Sequence, residues 1–178
     1  MSRPLHVVTL CTGNAARSVM CGAMLTQLAE IDGRELRVTT AGTHALEGQP
    51  MSMRTRSAIA AISELDTSML GRHRSHQLTD RDCETADLIV AMEASHVAYV
   101  RRVHPDSADI TATIRHLVDA LPVDAEPLGR RVSTLELGRI ALDDDGDVID
   151  PAGGEQPQYD DCASELWLLS QSLMALLD

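Results

Sequence analysis

Two rhythms of apolar positions alternate along this chain. Leu5-His-Val-Val-Thr-Leu10 is short and β-branched, the pattern of a strand buried on both faces. After a polar loop, Met20, Met24, Leu28 and Ile31 recur at helical spacing, which predicts an amphipathic helix from about Arg17 to Ile31. Leu36 to Ala41 reads as a second strand, and Met51 to Leu65, with Ala58, Ile59, Ala61 and Ile62, as a second helix. Thr79 followed by Asp82 predicts a capped short helix ending near Ala86. Leu88 to Met92 is a third buried strand and Ala94 to Val103 a helix. Ile114 to Val118 reads as a fourth strand, and Ser133-Thr-Leu-Glu136 as a capping box opening a helix to about Leu142. Cys162, Leu166, Leu169, Leu173 and Leu176 mark a final helix. Strands that alternate with helices imply an α/β fold, a parallel sheet covered on both faces.

Composition narrows the class. The 178 residues contain no internal repeat or linker and read as one domain spanning 1–178, with 44% apolar residues to build its core. Phenylalanine is absent and only Tyr99, Tyr159 and Trp167 carry aromatic rings, so that core is aliphatic. The net charge is −12, and all fifteen positive side chains are arginines. Acidity argues against a nucleic-acid partner, and the scarcity of rings argues against a base-stacking platform. No apolar run approaches the roughly twenty residues that span a membrane, and the N-terminus lacks a secretory layout. The expectation is a cytoplasmic protein with no membrane partner. Cys11, Cys21, Cys83 and Cys162 form no CxxC pair, so neither a disulfide framework nor a structural zinc site is expected. The acidic run Asp143-Asp-Asp-Gly146 fails the calcium-loop spacing, and no metal is expected there.

Chemistry concentrates where the first strand meets the first helix, at Cys11-Thr12-Gly13-Asn14-Ala15-Ala16-Arg17-Ser18. Open α/β sheets place ligands at the carboxyl ends of their strands, and helix N-termini receive anions. Gly13, and Asn14 with its tolerance of left-handed backbone, allow the loop to curl successive N–H groups into a nest. Arg17 offers a planar fork for two oxygens of a tetrahedral oxyanion. N–H dipoles and an arginine around Cys11 favour its thiolate, placed beneath a bound phosphate for in-line attack. Ser18 is positioned to hydrogen-bond that thiolate.

The Cys11–Ser18 loop resembles the phosphate loop of the low-molecular-weight protein tyrosine phosphatases, a family that shares its fold with thioredoxin-coupled arsenate reductases. The resemblance extends to Thr40-Ala-Gly-Thr43, His73-x-x-x-Gln77-Leu78, Ala86-Asp-Leu-Ile-Val-Ala-Met92 and Asp150-Pro151, with an added stretch near residues 119 to 147. It implies a flavodoxin-like, three-layer fold with a four-stranded parallel sheet, and a two-step phosphate hydrolysis without cofactor. By position, Cys11 is the nucleophile, Arg17 the phosphate clamp and Asp150 the general acid. Asn14, Ser18, Thr40 and His73 match the polar network that supports the loop. The implied partner is a phosphorylated protein, phosphotyrosine above all, or a small phosphomonoester.

Several positions depart from the family. Ala16 replaces the second loop cysteine, which removes a disulfide partner for an oxidised nucleophile. Ala152 stands where an aromatic follows Asp-Pro, and His44 to Gly48 replaces an aromatic-rich loop. His44, Leu46, His96 and Tyr159 are the candidates to wall the pocket instead. Two other readings remain at this level. One is arsenate reduction with an external thiol, since no cysteine pair follows the third strand. The other is a phosphate-sensing module without turnover, against which the joint presence of Cys11, Arg17, Ser18 and Asp150 argues.

Overall fold

The computed structural model describes residues 3–68 and 70–177. Strand β1 (Leu5–Cys11) lies at the centre of the sheet, paired in parallel with β2 (Leu36–Gly42) and with β3 (Leu88–Ala91). Strand β4 (Thr111–Thr113) continues beyond β3, so the order is β2-β1-β3-β4, all parallel. This is the flavodoxin-like α/β arrangement, with its topological switch point between β1 and β3.

Alternation along β1 explains the two covered faces. Val7 and Cys11 join a large aliphatic core with α1 (Arg17–Ile31) and α7 (Gln156–Leu176). Val8 and Leu10 face a smaller cluster with Leu78, Cys83 of α3 (Asp80–Thr85) and Val100 of α4 (Ala94–Val103). Both sides of the strand are therefore dry, as its unbroken apolar reading requires.

Three elements differ from their sequence patterns. The second helix, α2, is shorter than expected: Met53–Ala60, opened by the Ser52 side chain, which accepts the Thr55 N–H. Met53, at its entry, is 74% exposed. Ile114 to Val118 is not a strand but part of α5 (Ile114–Ala120), capped by Thr113. The buried Ile114 and Leu117, three apart, follow a helical period, and the edge strand is the preceding Thr-Ala-Thr. The Ser133–Glu136 box opens nothing. Ser133 ends α6 (Leu128–Ser133), and Glu136 sits at φ 47, which halts a right-handed helix. Arg131 of α6 is 3% exposed and donates to the carbonyls of Glu126, Pro122 and Leu176.

Candidate active site

Cys11 closes β1 and is buried, with its Sγ 2.9 Å from the Ser18 hydroxyl at the start of α1. The chain between them turns through Asn14, whose φ of 51 is the left-handed step in the loop. Asn14 is fully buried, and its side chain works in both directions. Nδ2 donates to Ser18 Oγ at 2.9 Å, and Oδ1 accepts the His76 N–H at 2.9 Å. Gly13 does not have a positive φ, and a Cβ on it would meet open space.

The loop is braced from several elements. Thr9 Oγ1 donates to the Ser18 carbonyl at 2.8 Å, and Thr55 Oγ1 of α2 donates to the Ala15 carbonyl at 3.0 Å. The N–H groups of Thr43 and His44 donate to the carbonyls of Cys11 and Thr12, each at 2.9 Å. His73 Nε2 stands 3.0 Å from the Asn14 carbonyl, so that nitrogen carries the proton. Burial pushes the His73 pKa below its ordinary value, against the opposing pull of that carbonyl. No hydrogen bond ties the Thr40 side chain to this network among the described residues, and its methyl lies against Gly22 of α1.

The carbonyls of Cys11, Thr12, Asn14, Ala15 and Ala16 are engaged, and the loop leaves its donors free. None of the N–H groups of residues 12 to 17 donates to a protein acceptor among the described residues. Such a run of unpaired N–H groups at a helix start is a receptor for an oxyanion.

Arg17 is 2% exposed. Its Nη1 donates to Glu93 at 2.5 Å and to the Val148 carbonyl at 2.9 Å, and its Nη2 donates to Asp150 at 2.7 Å. Burial works against the charge, but the Glu93 hydrogen bond and the nearby carboxylates outweigh it, so the Arg17 pKa is raised and the charge secured. Asp150 is more open, 42% exposed at its side chain, and its second oxygen accepts the Ala152 N–H at 3.0 Å.

Above Cys11 opens a cavity of about 280 Å³ that includes Arg17 and Asp150. Its walls are small: Ala15, Ala16, Ala152, Ser52 and Thr55, with Tyr159 of α7 the one ring. Of the other candidates for the wall, His44 lies edge-on to Tyr99 at 5.5 Å and Leu46 is 76% exposed. His96 is buried, its Nε2 2.9 Å from Thr12 Oγ1. None of these three lines the cavity. Cys21, Cys83 and Cys162 also lie outside it, and burial pushes their thiols up to about 12, 11 and 12.

Glu93 is the participant that sequence reasoning missed. The available signal was its place, immediately after the buried run of β3, at the ligand-binding edge of a parallel sheet.

The sequence pattern of the low molecular weight phosphotyrosine protein phosphatases matches residues 6–178. The chain belongs to this family. The phosphatase is 28% identical over 170 residues to a protein-arginine-phosphatase of Bacillus subtilis, covering 95% of this chain and 94% of that one. It is 30% identical over 112 residues to low molecular weight protein-tyrosine phosphatase A of Mycobacterium tuberculosis, covering 62% and 66%. Among solved structures, the YwlE arginine phosphatase of Geobacillus stearothermophilus superposes with a TM-score of 0.74 at 25% identity, covering 97% of this chain and 92% of that one. The low molecular weight protein tyrosine phosphatase of T. tengcongensis gives 0.76 at 26% identity, covering 96% and 98%. No helix among the described residues is long and apolar enough to cross a membrane.

Proposed function

We propose that this phosphatase hydrolyses phosphorylated protein side chains through a cysteinyl-phosphate on Cys11. The observation that carries the reading is the run of unpaired N–H groups from Thr12 to Arg17, in a loop that lines one cavity together with Cys11. In the first step the thiolate attacks phosphorus and the bond to the leaving atom breaks. Asp150, at the cavity mouth, gives that atom its proton. In the second step water attacks the phosphocysteine while Asp150 takes a proton from it. Inorganic phosphate leaves, and the Ser18 hydroxyl stabilises the departing thiolate. In both steps the N–H ring and Arg17 hold the equatorial oxygens, where charge is spread during transfer.

Phosphoarginine is the substrate favoured by the cavity. A phosphotyrosine ring gains most between aromatic walls, and here alanines and hydroxyl side chains take those places. A guanidine leaving group needs no ring and meets in Asp150 the acid proposed to protonate it. The relatives matched over 95% and 83% of this chain are both named protein-arginine phosphatases. Phosphotyrosine is the second reading, supported by Tyr159 in the wall and by the tyrosine-named relatives.

Purified protein is expected to hydrolyse p-nitrophenyl phosphate without added metal. Cys11→Ser is expected to lose about 10³-fold or more in kcat. Asp150→Ala should lose about 10²-fold on substrates with poor leaving groups. Turnover that survives Cys11→Ser would overturn the mechanism. Phosphoarginine and phosphotyrosine peptides assayed on one sample decide the substrate.

A further inference from the structure

We propose that Ser52 is a specificity-determining residue, whose hydroxyl accepts a hydrogen bond from the guanidine of phosphoarginine and so favours that leaving group over a phenol. The proposal deepens the phosphoarginine reading and rests on it.

Ser52 caps α2 and lines the cavity above Cys11. Its Oγ accepts the Thr55 N–H at 3.1 Å and lies 3.0 Å from Thr55 Oγ1. A hydroxyl has one hydrogen and two lone pairs. The Thr55 hydrogen goes to the Ala15 carbonyl, 3.0 Å away, because a carbonyl oxygen only accepts. Between the two hydroxyls, Ser52 is therefore the donor. The protons run one way, from Ser52 to Thr55 to the backbone of the Cys11–Ser18 loop. Thr55 is fully buried, so solvent does not compete for the inner link of this chain. Ser52 has spent its hydrogen on Thr55 Oγ1 and one lone pair on the Thr55 N–H. What it offers the cavity is the other lone pair. Toward a ligand Ser52 accepts and has nothing to donate.

That polarity suits one kind of leaving group. A guanidine carries several N–H donors in one plane, and phosphorylation occupies only one of its nitrogens. Asp150, the proposed acid, meets the nitrogen that leaves. The remaining N–H groups need acceptors. Arg17 brings only donors to the cavity, and the hydroxyls of Thr12 and Tyr159 are able to act in either sense. Ser52 is fixed as an acceptor by its own partners. It is exposed, so solvent meets its free lone pair until a substrate covers it. A phenol ring has C–H groups along its edge and would cover that lone pair without supplying a donor. A site that hydrogen-bonds a substrate N–H discriminates against a ligand that lacks one.

The test compares kcat/KM on a phosphoarginine peptide with kcat/KM on the same peptide carrying phosphotyrosine. Ser52→Gly deletes the hydroxyl and leaves a residue that helix N-caps accept well. It is expected to lower the phosphoarginine-to-phosphotyrosine ratio about fivefold, the loss of one hydrogen bond. Thr55→Val removes the acceptor of the Ser52 hydrogen, which is then free to turn into the cavity, and the ratio should fall in the same direction. Thr55→Ser keeps the hydroxyl chain and should keep the ratio. Should Ser52→Gly not fold, the two Thr55 variants carry the test. If Ser52→Gly slows both peptides alike, Ser52 acts by holding α2, and the proposal fails. An unchanged ratio in Thr55→Val, or an equal shift in Thr55→Ser, overturns the proton order and the proposal with it. If wild type prefers phosphotyrosine, the phosphoarginine reading falls and Ser52 loses this role. If wild type prefers phosphoarginine and Ser52→Gly keeps that preference, the reading stands and the proposal alone falls.

Discussion

Asn14 has a partner for its amide nitrogen, its amide oxygen and its backbone carbonyl, and it also supplies the left-handed turn of the loop. Asn14→Ala leaves Ser18 Oγ and the His76 N–H without their partners and places a Cβ in unfavourable backbone. The expected loss of stability is about 2–4 kcal/mol by urea unfolding, accompanied by a fall in kcat. Asn14→Asp retains the acceptor for His76 but cannot donate to Ser18, so it should recover more stability than activity. Legibility at this scale followed chemistry. Cys11, Asn14, Arg17 and Ser18 stand close together in sequence, and each residue type has few other uses in that order. Thr40 is the residue the pattern places less well, because a threonine on a strand fits several structures equally well. Glu93 gave no local signal, since its partner Arg17 lies 76 residues away.

Strand ends position this site, and the close approach of β2 to the loop is the tightest constraint on it. A Cβ at Gly42 would stand 2.6 Å from the Thr12 carbonyl and 3.0 Å from the Asn14 nitrogen, both backbone atoms that cannot swing aside. Gly42→Ala is therefore expected to displace the loop and lower kcat/KM at least about tenfold, measured on p-nitrophenyl phosphate. Gly13→Ala meets no neighbouring protein atom and serves as the fold control, judged by its unfolding midpoint. The first three strands and α1 were legible because long apolar runs and a clean three-to-four spacing admit one reading. Between residues 111 and 133 the segments shorten to three, seven and six residues, too few for a period to declare itself. There the deciding facts were a threonine cap and a left-handed Glu136, and both depend on tertiary surroundings.

Two histidines tie the stability of the whole molecule to pH. Burial holds His96 down to about 4 against the pull of Glu93, and His73 is shifted in the same direction. Unfolded histidine titrates near 6.5, so below that pH the unfolded chain binds more protons than the native one. Stability is therefore complete above about pH 6.5 and is lost as pH falls toward 4. The lowered carboxyls of Glu93 and Asp82 act in the same sense, but only as pH falls below the ordinary carboxyl range. Between pH 7 and 5 the His96 share is on the order of 2 kcal/mol. Urea unfolding at the two values is expected to reveal it, and His96→Gln should flatten the dependence.

Arg17 and Asp150, 133 residues apart, meet at the mouth of one cavity, and Tyr159 of α7 completes its wall. A ribosome delivers these parts in order. Cys11, the proposed nucleophile, and its loop emerge first, while Arg17 waits for both carboxylates and the core waits for the final helix to cover α1. A nascent chain that stops before residue 150 carries Cys11 without the proton donor proposed for it. On this arrangement, catalytic competence arrives late in synthesis, together with the contacts that bury the core.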